Sequence, residues 1–115
     1  MDGFYAAYLT GRSGNTIVLL AIRSSTVVGV DAGGMKYDGT VVSTAHGLLS
    51  FKIRYTIPPG TPLITGVGGV ASPTPVSLEF TMPSDFSANS IVKIETPLGP
   101  VNARLVKLRD FDLPA

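Results

Sequence analysis

The 115 residues contain no cysteine, no tryptophan and one histidine. Without cysteine there are no disulfides, no thiolate metal sites and no thiol nucleophile, although the redox compartment stays open. Charge is scarce too: nine basic and eight acidic residues leave a formal net charge of +1. So balanced a surface exerts no general pull on nucleic acid or anionic lipid. Long hydrophobic runs are missing, the longest being IVLLAI at residues 17–22, far short of the roughly 20 residues a membrane helix needs. The start, MDGFYAAYLT, has an early acid and no basic region ahead of an apolar one, so it does not read as a secretion signal and a cytoplasmic location is expected. No window carries apolar residues at the i, i+3, i+4, i+7 spacing of a helix, apart from a single capped turn in PSDFSAN, residues 83–89, where Ser84 or Asp85 could cap it.

What the chain does have is apolar residues, 44% of the total, with a mean hydropathy of +0.34. That exceeds the need of one small core and points to an interface or a lined cavity in one domain spanning 1–115. In LLSFKIRYTI, residues 48–57, Leu49, Phe51, Ile53, Tyr55 and Ile57 alternate with polar residues, and PVSLEFTM repeats the pattern with Val76, Leu78, Phe80 and Met82. This is the period of half-buried strands. GFYAAYLT and NTIVLLAIR flank the turn GRSGN and are apolar on both faces, so each face needs a cover. STVVGVD, KYDGTVVST, SIVKIET and VNARLVKLR complete about eight strands, and in the last the alternation slips, which predicts a β-bulge near Leu105. The fold class expected is an all-β, nearly helix-free antiparallel barrel. An eight-stranded barrel encloses room for its own side chains or one small ligand, and Phe51, Ile53, Leu78 and Phe80 are its expected lining. The segment PPGTPLITGVGGVASPTP, residues 58–75, reads as a long surface connection rather than a lid over the barrel mouth, with PLITGV able to pair at an edge.

The glycine-rich stretch VGVDAGGMKYDGT, residues 28–40, has neither the P-loop spacing nor the strand-to-helix setting of a dinucleotide fingerprint. Asp31, Gly33, Gly34, Tyr37 and Gly39 read as a turn motif, since glycine tolerates positive φ and aspartate bonds the backbone two residues on. His46 has one acid, Asp38, within ten residues, and no nucleophile elbow exists, so neither a metal site nor a catalytic residue is expected. Glu79 and Glu95 fall on polar strand faces, and no cofactor is implied. Arg104, Lys107, Arg109 and Lys93 form a basic cluster without stacking aromatics, which reads as a charged edge rather than a nucleic-acid site.

MDGFYAAYLTG, VVGVDAGGMKYDGT, YTIPPGTPLITG and LGPVNARLVKLRDF together resemble the GrlR-type family of small bacterial proteins, over nearly the whole chain. The family's glycine and aspartate ahead of a tyrosine-x-glycine are matched by Gly29, Asp31, Tyr37 and Gly39, and its start by Gly3 and Tyr5. The resemblance implies a lipocalin-like (calycin) barrel, usually a homodimer, and a negative regulator of type III secretion genes that restrains transcription by binding a protein activator. The hairpin after the tyrosine-x-glycine, where the family's regulator has an acidic run, is here VVSTAHG, residues 41–47. Its Ser43, Thr44 and His46 are the candidate contacts to a regulatory partner. Two non-enzymatic functions are therefore expected in competition, regulation by protein contact and carriage of a small apolar ligand inside the barrel.

Overall fold

A computed structural model describes residues 1–60, 71–85 and 91–111. Eight strands follow in order: β1 (Gly3–Gly11), β2 (Gly14–Arg23), β3 (Thr26–Asp31), β4 (Lys36–Thr44), β5 (Leu48–Ile57), β6 (Thr74–Pro83), β7 (Val92–Thr96) and β8 (Gly99–Arg109). They form one antiparallel sheet in the order β6-β5-β4-β3-β2-β1-β8-β7. The meander wraps so that its two edges meet. Leu78 and Phe80 of β6 pack against the Ile94, Val101 and Ala103 cluster of β7 and β8. The result is a nearly closed barrel, with side chains joining β6 to β7 where no strand ladder is formed among the described residues. A 3-10 turn, Ala45–Gly47, links β4 to β5, and no described helix is long and apolar enough to cross a membrane.

Local chemistry explains the corners. Arg12 and Ser13 make a two-residue loop closed by the Gly11↔Gly14 pair. The β2–β3 loop is Ser24-Ser25, with φ of 55° and 89°, the double positive φ that suits a right-twisted hairpin. Asp2 Oδ1 accepts a bond from the Ser24 amide at 2.9 Å and helps to hold this turn. The third corner is the glycine-rich stretch. There Asp31 Oδ1 accepts from the amides of Gly33 and Met35, and Gly34 takes a φ of +89°. Asp31, Gly33 and Gly34 thus build the turn, and Tyr37 anchors it from β4.

Gly39 departs from the turn expectation. It lies inside β4, opposite Val27 of β3 and Ile53 of β5, and a Cβ there would fall onto the Lys52 carbonyl oxygen. It lets the backbones of β4 and β5 approach closely, a recognised use of a strand glycine. The bulge in β8 is also displaced from the expected place. Tyr5 pairs with Lys107 but Phe4 pairs with Arg109, so Leu108 rather than Leu105 is the extra residue.

The core divides between the barrel's two ends. Tyr5, Ile22, Val27, Val41, Leu49, Phe51, Met82 and Leu105 form a buried cluster that plugs the end where β1 begins. On the outer side, Phe4 of β1 packs on Phe111, whereas Ile17 and Leu19 of β2 and Val28 and Val30 of β3 are each about half exposed. The single capped turn expected in residues 83–89 and the pairing of PLITGV fall largely outside the described residues, as does most of the connection at 58–75.

Candidate functional site: an apolar cavity within the barrel

Because side chains alternate along a strand, the odd-numbered residues of β1 and the even-numbered residues of β2 point inward together. Their sizes decide whether the interior fills. Ala7 on β1 and Ala103 on β8 are small inward residues that border unfilled space. The interior does not close on itself. A cavity of about 360 Å³ runs along it, lined by residues of every strand including Ala7, Leu9, Leu20, Tyr55 and Met82. This volume falls in the range of small-molecule sites, roughly 300–1,000 Å³.

Phe51, Ile53, Leu78 and Phe80, the four residues expected to line the barrel, all border this cavity. Phe51 and Phe80 face each other across β5 and β6 with ring centroids 5.0 Å apart and planes 7° from parallel. Several inward side chains, among them Ala7, Leu20, Ile53 and Phe80, stay only partly buried although they pack on the core cluster. Their remaining surface faces the void.

The cavity runs toward the end carrying the Asp31 turn. The lining there gains polar side chains, Asn15, Thr16, Asp31, Tyr37, Tyr55 and Thr96, among the apolar Met35, Ile57 and Leu98. Tyr37 donates its hydroxyl proton to Asp31 Oδ2 at 2.8 Å. Burial raises its pKa far above the ordinary value, and the bond to Asp31 adds to the effect. The Tyr55 ring lies 5.3 Å from that of Tyr37, and burial raises its pKa as well. Both phenols are therefore neutral across the physiological range. Among the described residues no lysine or histidine lines the cavity. Arg104 does, but its guanidinium carbon sits 4.7 Å from the centroid of the Tyr8 ring, and Tyr8 faces outward.

Tyr37→Phe removes the bond to the Asp31 carboxylate, and bonds of that charged type contribute roughly 1.5–3 kcal/mol. The expected loss is about 1–2 kcal/mol of unfolding free energy, since the carboxylate keeps two amide donors, read from urea denaturation at neutral pH. The pH dependence carries the second signature. The unfolded Tyr37 ionises near the ordinary tyrosine value of 10.0 while the folded one stays protonated. Its contribution is complete below that pH and falls as pH rises through the folded value. The alkaline loss of stability should be shallower in the Phe variant.

The remaining candidates lie elsewhere. Ser43 and Thr44 end β4, and His46 occupies the 3-10 turn with φ 68°, all exposed and at the plugged end, away from the polar mouth. The basic residues do not share a site: Lys93 pairs with Glu95 and Lys107 with Asp110. No group of three potential metal ligands occurs among the described residues. Sequence reasoning missed Asp31, Tyr37 and Tyr55 as cavity-mouth residues. The available signal was that Tyr37 and Tyr55 are inward positions of adjacent strands.

Compared with family models, curated proteins and solved structures, the chain matches none.

Proposed function

We propose that this protein is a non-enzymatic binding protein that holds one small, largely apolar molecule inside its barrel. The observation that carries the reading is the cavity of about 360 Å³ behind a polar mouth. An apolar void of this size is a standing gain for any molecule that fills it, since each Å² of apolar surface withdrawn from water contributes roughly 25 cal/mol. Native mass spectrometry of the protein isolated from its source cell tests it. The expected spectrum shows one small adduct per chain that organic extraction removes and that returns when the extract is added back. A bare chain that takes up no apolar compound offered to it would count against the reading.

A second reading, regulation through protein contact in the cytoplasm as the GrlR-type resemblance implies, is favoured by a separate observation. Tyr8 of β1, Ile17, Leu19 and Ala21 of β2, Val28 and Val30 of β3 and Val106 of β8 form one continuous outer face around the buried Ala6, set by the pairings Ala6↔Val106, Ala6↔Leu19 and Leu19↔Val30. Exposed apolar patches of this kind mark association surfaces. The partner we propose is a second copy of the chain. Lys36 and Asp38 border the patch on β4 and Arg104 borders it on β8, so a two-fold copy can set Asp38 against Arg104, the self-complementary arrangement of an isologous dimer. Sedimentation should give a dimer for the parent and a monomer for Leu19→Lys, whose charge would sit at the patch centre. A parent that sediments as a monomer at high concentration would remove this reading and leave the first untouched.

A further inference from the structure

We infer that the barrel selects, among apolar molecules, those ending in an uncharged hydroxyl, and that it discriminates against the corresponding carboxylate. The inference rests on the cavity reading above and specifies its ligand class from the chemistry of the mouth. The apolar wall formed by residues such as Phe51, Leu78 and Phe80 sets no preference among heads. The preference comes from Asp31, Tyr37 and Tyr55.

The Asp31 carboxylate is held as an acceptor by three donors: the amides of Gly33 and Met35 on Oδ1 and the Tyr37 hydroxyl on Oδ2. Three donors reduce its pull on a cation but leave its negative charge. A carboxylate head would face that charge with no lysine or histidine among the described residues along the cavity to balance it, and the Arg104 guanidinium is engaged with Tyr8 outside. Like charges that share a poorly solvated site disfavour one another strongly. An ammonium head at the same mouth would face a carboxylate whose oxygens already accept from three donors, which leaves it less than fully paired against the several kcal/mol that leaving water costs each ion.

A hydroxyl meets neither obstacle. Tyr37 already donates its O–H to Asp31 Oδ2, so its oxygen is left with only accepting capacity for a group in the cavity. The Tyr55 hydroxyl has no hydrogen-bond partner among the described residues, although burial raises the pKa of its phenol and keeps the proton on it. The adjacent phenols therefore offer one acceptor and one donor, the complement of an alcohol's own donor and acceptor. A site with a part-buried hydroxyl left unsatisfied rejects a ligand that cannot pair it.

The test is displacement of a neutral apolar fluorophore, phenylnaphthylamine, from the intact protein at neutral pH by decanol, decanoate, decylamine and decane. Decanol is expected to displace it at a concentration at least tenfold below that of decanoate or decylamine, and below that of decane. In Tyr55→Phe decanol should lose its advantage over decane, each displacement being referred to the fluorophore affinity measured for that variant. Should the fluorophore bind and decanoate or decylamine compete as well as decanol, the hydroxyl preference is wrong and the cavity reading stands. If decanol keeps its full advantage in Tyr55→Phe, the assignment of the mouth is wrong. If the fluorophore does not bind at all, the cavity reading fails and takes the preference with it.

Discussion

Replacing Ala7 with Phe is expected to weaken binding of an apolar fluorophore at least tenfold while leaving stability unchanged or raised by about 1 kcal/mol. Ala7 faces inward from the middle of β1, is only partly buried, packs beside the main core cluster and lines the cavity. A phenyl ring built there projects into the void and occupies space the ligand needs. Cavity filling by an apolar group commonly stabilises by roughly 0.5–2 kcal/mol, and a tenfold loss of affinity corresponds to about 1.4 kcal/mol of lost contact. The two readouts move in opposite senses only if the void exists. In a barrel whose centre is filled, the same ring would overpack the core and cost roughly 1–3 kcal/mol. Fluorescence titration and urea denaturation of the one variant therefore separate a hollow interior from a solid one. Destabilisation of that size with binding unaltered would contradict the cavity.

The second large effect concerns Gly39. In an ordinary strand, alanine in place of glycine is favourable by roughly 0.5–1 kcal/mol, because glycine loses more conformational freedom on folding. At Gly39 the sign should reverse. An added Cβ falls onto the Lys52 carbonyl oxygen, 2.9 Å from Ile53 Cδ1 and 3.0 Å from Ile53 Cα. Of these only the Ile53 methyl can swing away, whereas the carbonyl and Cα belong to the β5 backbone and can move only if the strands part. Gly39→Ala should lose about 2–3 kcal/mol and Gly39→Val about 3 kcal/mol or more, the upper range for forced overpacking. Chemical denaturation midpoints provide the comparison. An alanine variant as stable as the parent would mean that β4 and β5 are not so closely apposed.

Much of the architecture is legible in the sequence, and the residues show why. LLSFKIRYTI and PVSLEFTM alternate cleanly because β5 and β6 face water on one side, so hydrophobicity alone reports which side chains point inward. Phe51, Ile53, Leu78 and Phe80 were accordingly identifiable as lining residues. The same logic blurs on β1, β2 and β8, whose outer residues are apolar as well. Val106 stays in phase as an outward residue beside Ala6, yet being apolar it reads as though the alternation had already slipped. That is why the bulge at Leu108 was expected nearer Leu105. The Ser24-Ser25 hairpin carries no glycine or asparagine and so gives no signal of its positive φ. Whether the interior is hollow depends on how the inward side chains of all eight strands meet, and glycine in a stretch like VGVDAGGMKYDGT reads as turn chemistry. Only the register of β4 against β5 shows that Gly39 serves close approach and that Tyr37 and Tyr55 meet.

The account depends on the inside of the barrel, rather than its apolar outer face, being where an apolar molecule goes. Methyl nuclear magnetic resonance of the labelled protein during titration with decanol decides between the two surfaces. The predicted result is a saturable shift confined to the inward methyl groups of Leu9, Leu20, Ile53 and Leu78, with those of Ile17, Leu19, Val28 and Val30 unmoved. Shifts confined to the second set, with the first unchanged at saturation, would contradict it.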